Sequence, residues 1–133
     1  MLQREKDNIG KNLRARHLPG FDCTQSLLDE EAELRAALAD RVMLVRYQPI
    51  IRLRDGHIAA LEGLVRWPRD EALLQAGAFV PLAEKLGLAL DLTHAVLERV
   101  AHDWQRTPSP KGGLAVNMPL SVLLLPEMPA RLA

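Results

Sequence analysis

The strongest pattern in the chain lies between Tyr47 and Trp67, where two runs rich in Val, Ile and Leu flank Asp55-Gly56. That dipeptide accepts the positive φ angles of a two-residue type I′ turn, so the stretch predicts a β-hairpin. In the second run a period of two puts Ala60, Glu62, Leu64 and Arg66 on one face and Leu61, Gly63, Val65 and Trp67 on the other. Apolar residues occur on both faces, so both are expected to be covered, as in a sheet flanked by helices. Glu62 and Arg66 cannot satisfy each other, because four residues of strand separate them by about 13 Å. Each needs another partner: a metal, a ligand, or a distant residue in an internal salt-bridge network. In the first run Leu44, Arg46, Gln48 and Ile50 alternate with Met43, Val45, Tyr47 and Ile51 around Pro49, which places Gln48 where it can line the same cavity.

Helical spacing appears on either side of the hairpin. Ser26 to Asp29 fits a capping box, and Leu27, Leu34 and Leu38 then recur on one face, with Glu30, Glu31, Glu33 and Arg35 on others. Beyond Trp67, Pro68 is expected to end the strand and residues 69–77 to form a loop. Ala78 to Leu86 then predicts a helix closed by Gly87. Asp91 is placed as the cap of the next helix, with Leu92, Val96, Leu97, Val100, Ala101 and Trp104 as its apolar stripe. Its opposite face carries His94, Glu98 and His102, a row whose ends lie about 12 Å apart, too far to share one ion. Pro108, Pro110 and two glycines mark residues 107–113 as a loop before a short strand, Leu114 to Met118, in which Ala115 and Asn117 share a face. A helix is expected to begin after Pro119.

Composition narrows the class. The chain has 133 residues, 48% apolar and 26% charged, enough for one globular core. Its formal net charge of zero gives no electrostatic reason to expect a nucleic-acid polymer or a membrane surface as partner. Cys23 is the only cysteine, which excludes an intrachain disulfide and a thiolate zinc cluster. No membrane segment is expected, since no run approaches roughly 18 uninterrupted apolar residues. Arg4, Glu5, Lys6 and Asp7 do not suit a signal peptide, so the expected compartment is the cytoplasm. Residues 1–25, polar and mildly basic, read as a linker or the tail of an upstream domain.

Three ordered motifs together resemble one family. YQPI, a stretch of hairpin, and then ExLxRW resemble the opening of the EAL domain of bacterial cyclic di-GMP phosphodiesterases. AFVPLAEKLGLALDLTHAVLERV is similar to that family's FIPLAE segment and following helix, and LAVNMP to its VN(L/I)S strand. The resemblance implies a fold of the α/β class, a TIM-type (β/α)8 barrel of the EAL kind that opens with a capped helix and a β-hairpin. Such barrels take about 250 residues, so residues 26–133 are expected to be a truncated barrel, the N-terminal part of an EAL domain.

The resemblance also implies roles. Glu62 and Asn117 become metal ligands for Mg²⁺ or Mn²⁺, Arg66 a phosphate clamp, Leu64 a wall of the dinucleotide groove, and Gln48 a ligand contact. The family activity is metal-dependent hydrolysis of cyclic di-GMP to linear pGpG. The family's remaining carboxylates, its paired aspartates and its lysine have no counterpart here, so no complete catalytic set is present and the chain alone is expected to be inactive. Gly63 stands where the signature has alanine, and Met118-Pro119 replaces an apolar-serine pair after the asparagine. An alternative is a catalytically dead EAL-like module that binds cyclic di-GMP or a protein partner, and a third is a remnant that folds poorly. Free strand edges in an open barrel also favour a homo-oligomer.

Overall fold

A computed structural model describes residues 23–106, 112–128 and 130. The proposed tail, residues 1–25, lies outside these but for its last residues, as does most of the predicted loop before the last strand. The order is α1 (Cys23–Ala39), β1 (Leu44–Ile51), β2 (Ile58–Arg69), β3 (Ala72–Gln75), α2 (Ala76–Lys85), α3 (Ala89–Arg106), β4 (Gly113–Val116) and a one-turn α4 (Leu120–Leu123).

The organising strand is β2. It pairs antiparallel with β1, Gln48 opposite Glu62 and Leu44 opposite Arg66. On its other edge it pairs in parallel with β4, Glu62 beside Ala115. A parallel partner requires a long crossover, which α2 and α3 supply. Gly112 lets that return approach closely, because a Cβ there would lie 2.6 Å from the Ala59 carbonyl oxygen.

The predicted hairpin forms, but its turn is longer than two residues. The Arg52 amide donates to the His57 carbonyl at 2.8 Å, leaving Leu53 to Gly56 as a four-residue connection. Only Gly56 among the four has a positive φ, +71°, whereas a type I′ turn needs two such residues. Asp55 serves the turn through its side chain. The His57 amide, with Arg52 and Arg54 nearby, holds its carboxyl below the usual range despite some desolvation.

The region after Trp67 also departs from expectation. Strand β2 continues through Pro68 to Arg69, the chain turns at Asp70 (φ +52°), and β3 runs back antiparallel, Pro68 opposite Leu73. Arg66 pairs with Leu44 on one side and Gln75 on the other, so β3 and β4 share one edge of β2 at different heights. All three long helices start earlier than predicted, α2 at Ala76 rather than Ala78. Helix α1 already includes Cys23, and Asp29 accepts from Gln25 at 2.9 Å instead of closing a capping box with Ser26. Helix α3 begins at Ala89, with Asp91 inside its first turn, where its charge suits the helix dipole. The end of α2 matches its prediction: Gly87 (φ +70°) and Leu88 donate to Glu84 and Ala83, a Schellman motif.

All three long helices cover one face of the sheet. Leu34, Ala37, Phe79, Ala83, Leu92, Val96 and Val100 bury against Met43, Val45 and Trp67, with Val65, Leu114 and Val116 packed at the margin. Arg69 fastens α1 to this layer, reaching Glu30 at 3.1 Å and Glu33 at 2.6 Å. The expectation that both faces are covered is corrected, because among the described residues no element lies over the face of Gln48, Glu62 and Ala115. In a closed barrel that face is the interior.

On the covered face the Tyr47 hydroxyl donates to Asp103 of α3 at 3.0 Å, and Arg99 holds the same carboxylate at 3.0 Å. Burial, and then the hydrogen bond to Asp103, push the Tyr47 phenol up to about 12. Burial would raise Asp103, yet its bonds from Arg99 and Tyr47 leave it below the usual carboxylate range. Tyr47→Phe is therefore expected to cost about 1 kcal/mol near neutral pH. A folded-state pKa above the ordinary 10.0 contributes stability that is complete below pH 10 and is lost as pH rises toward 12. Urea unfolding of both proteins near pH 8 and near pH 12 should show the gap closing at high pH. A constant gap would contradict the assigned bond.

Candidate functional site

The open face collects the predicted residues through register alone. Period-two alternation puts Glu62, Leu64 and Arg66 of β2 on it. The antiparallel register sets Gln48 directly opposite Glu62 and Arg46 opposite Leu64. The parallel register sets Ala115 beside Glu62 from the other edge, so Asn117, two residues on, shares the face just beyond the end of β4. There the Asn117 amide donates to Glu62 Oε1 at 2.8 Å. The two sequence-predicted metal ligands are thus in contact, 55 residues apart in the chain.

Arg66 lies four residues from Glu62, toward the C-terminal end of the strand. Its guanidinium folds back onto the Val65 carbonyl at 2.9 Å. Among the described residues neither Glu62 nor Arg66 forms an ion pair, so the salt-bridge alternative is not what occupies them. Glu62, Leu64 and Arg66 are half-buried, while Arg46, Gln48 and Asn117 are exposed. The arrangement is a shallow polar floor of one carboxylate, two carboxamides and two guanidiniums beside a leucine. Arg46 is selected by the same alternation as Gln48, and the sequence reading gave it no role.

The donors suit a hard cation in kind but not in number. A carboxylate and an amide oxygen are the oxygen ligands that Mg²⁺ and Mn²⁺ accept, yet six positions must be filled. Among the described residues no group of three or more His, Cys, Asp or Glu is placed to hold a metal ion. Glu62 and Asn117 therefore fit as a ligand pair for one ion, with the remaining ligands supplied from outside this set.

The departures from the signature are explained locally. Gly63 is buried on the helix side, where an added Cβ would meet the Val45 side chain at 3.3 Å and the Ala115 carbonyl oxygen at 3.7 Å. Met118 packs with Ala89, Val122 and Met128 in a small second core, and the Pro119 carbonyl accepts the Val122 and Leu123 amides of α4. Neither change displaces Asn117 from Glu62. Glu84 is exposed on α2, on the helix side of the sheet.

The profile of the EAL domain matches residues 31–133. The chain belongs to the EAL domain family. It is 35% identical over 100 residues to a probable cyclic di-GMP phosphodiesterase, PdeB, of Escherichia coli (strain K12), covering 72% of this chain and 19% of that protein. It is 44% identical over 81 residues to the cyclic di-GMP phosphodiesterase NbdA of Pseudomonas aeruginosa, covering 60% of this chain and 10% of that one. Among solved structures it resembles the PaMucR phosphodiesterase in complex with c-di-GMP, at 29% identity and a TM-score of 0.65, over 79% of this chain and 43% of that one. The FimX EAL domain from Pseudomonas aeruginosa, at 24% identity and a TM-score of 0.67, shares the fold. The chain thus spans less than half of each EAL structure and a fifth or less of these two curated relatives. The open face follows from that span: the chain contains one side of a TIM-type barrel. Among the described residues no helix is long and apolar enough to cross a membrane.

Proposed function

We propose that the chain acts in cyclic di-GMP signalling, as the N-terminal portion of a metal-dependent phosphodiesterase domain that binds the nucleotide on its open face but does not hydrolyse it alone. The observation that carries this reading is the 2.8 Å contact between Asn117 and Glu62, on a face whose guanidiniums have no carboxylate partner among the described residues. Glu62 and Asn117 would hold Mg²⁺ or Mn²⁺, whose chemistry there is to activate water and neutralise phosphate charge. Arg66 supplies a planar fork of donors to a phosphate, Gln48 a neutral polar contact, and Leu64 an apolar wall against a base. One carboxylate cannot both complete the metal shell and manage the protons of hydrolysis, which is why binding without turnover is the expected behaviour.

The test follows nucleotide and protein NMR signals together while cyclic di-GMP is titrated in with Mg²⁺. Shifts at Glu62, Arg66 and Asn117 that weaken on chelation, with no pGpG formed, are the expected result. Formation of pGpG by this chain would overturn the inactive half of the reading, and unresponsive spectra would overturn binding itself.

A second reading, a module that binds a protein partner or a second copy through the open edge of β1, is favoured by Ile50, Ile51, Leu53 and Ile58, all exposed around that hairpin. Association indifferent to Arg66→Ala would identify it.

A further inference from the structure

We infer that Arg46 is a second phosphate-binding residue of the open face, so that this chain reads a dinucleotide carrying two phosphates with a pair of guanidiniums, Arg46 and Arg66. The inference rests on the cyclic di-GMP reading above and adds to it a residue that the family resemblance does not mark.

Register places the pair. Arg46 stands opposite Leu64 and Arg66 opposite Leu44, so the two arginines are diagonal neighbours on adjacent antiparallel strands, one on each side of the leucine row. Diagonal positions of this kind lie about 7–8 Å apart, within reach for side chains as long as arginine. Arg46 is exposed, and among the described residues no carboxylate, carbonyl or ring engages it. Other arginines near the sheet are engaged: Arg69 with Glu30 and Glu33, Arg52 with Asp55, Arg99 with Asp103. Two like charges at diagonal positions on one sheet face repel. Among the described residues only Glu62 opposes them, so these residues give the face an excess of one positive charge when no cation is bound. Such a face favours an anion with separated charges over a single phosphate, and a cyclic dinucleotide has two phosphates on opposite sides of one ring. Apolar Leu64 lies between the guanidiniums, where a base edge or sugar can rest while each phosphate meets a fork of N–H donors.

The experiment is calorimetric titration of the full chain with cyclic di-GMP and Mg²⁺, comparing wild type, Arg46→Ala and Arg46→Lys, with Arg66→Ala as a reference and thermal unfolding of each. Arg46→Ala is expected to bind about tenfold more weakly with an unchanged unfolding midpoint, and Arg46→Lys to fall between, since lysine keeps the charge without the fork. The mononucleotide GMP, with one phosphate, should lose no more than about twofold. If Arg46→Ala binds cyclic di-GMP as wild type does while Arg66→Ala is weakened, the second phosphate contact is refuted and the nucleotide reading stands. If wild type does not bind, both fall. An equal loss for GMP and cyclic di-GMP would refute the two-phosphate assignment.

Discussion

Phe79→Ala is expected to destabilise the chain by about 3–5 kcal/mol, lowering the urea midpoint by roughly 2 M. Phe79 is fully buried on α2 and meets the Trp67 ring edge-on, centroids 5.7 Å apart at 76°. Truncation removes apolar burial, leaves a cavity beneath the central strand, and deletes the aromatic pair, worth about 0.5–1.5 kcal/mol beyond area. Native domains carry only about 5–15 kcal/mol in total, and this one has an open sheet face, so the loss is a large fraction. Trp67 lies on the reverse of the strand that carries Glu62 and Arg66, so the same change should loosen the candidate site from behind. Leu53, 98% exposed in the hairpin connection, is the control: Leu53→Ala should shift stability by no more than about 0.5 kcal/mol. Equal midpoints for the two variants would show that the core is not organised around the Trp67–Phe79 contact.

What the sequence disclosed and what it hid differ in physical kind. Alternation with a period of two is set by strand geometry, so the face shared by Glu62, Leu64 and Arg66 was legible before any fold was known. So was the end of α2, because Gly87 suits the left-handed residue of a Schellman motif. The β3 strand was hidden for the converse reason. Pro68 ordinarily marks a strand end, and the turn beyond it uses Asp70 at φ +52° in place of a glycine. The turn at Asp55-Gly56 was located correctly but given the wrong length, because the same dipeptide suits connections of more than two residues and only hydrogen bonding distinguishes them.

Pairings distant in sequence are another matter. Alternation says that Glu62 and Asn117 each face one way, but their contact depends on Glu62 standing beside Ala115 in a parallel register. Nothing local fixes that register, and the family resemblance supplied what periodicity lacked. Tyr47 and Asp103, 56 residues apart, had no such help and were not anticipated. The covering of both faces was inferred from apolar content alone. That inference failed because the interior of a barrel and the surface facing its helices are equally free of solvent in a closed barrel, and among the described residues only one of the two is covered here.

Arg66→Ala is expected to weaken cyclic di-GMP binding by about thirty- to a hundredfold while leaving the unfolding midpoint within about 0.5 kcal/mol of wild type. The two halves of that expectation have one cause. Among the described residues the guanidinium forms no ion pair and bonds only to the adjacent Val65 carbonyl, so its removal breaks no contact between their elements. A charge-assisted bond to phosphate is worth about 1.5–3 kcal/mol, and a thirty- to hundredfold loss, about 2–2.7 kcal/mol, corresponds to one of them. Glu62→Gln separates this role from that of the metal. The amide keeps the shape and a hydrogen bond to Asn117 but loses the charge a divalent ion requires, so its affinity should no longer respond to Mg²⁺. Arg66→Ala should instead lose a similar factor with and without the ion. Titrations of both variants, with Mg²⁺ and after chelation, separate the clamp from the ligand pair, and an Arg66→Ala protein that binds as tightly as wild type would remove the phosphate clamp from the site altogether.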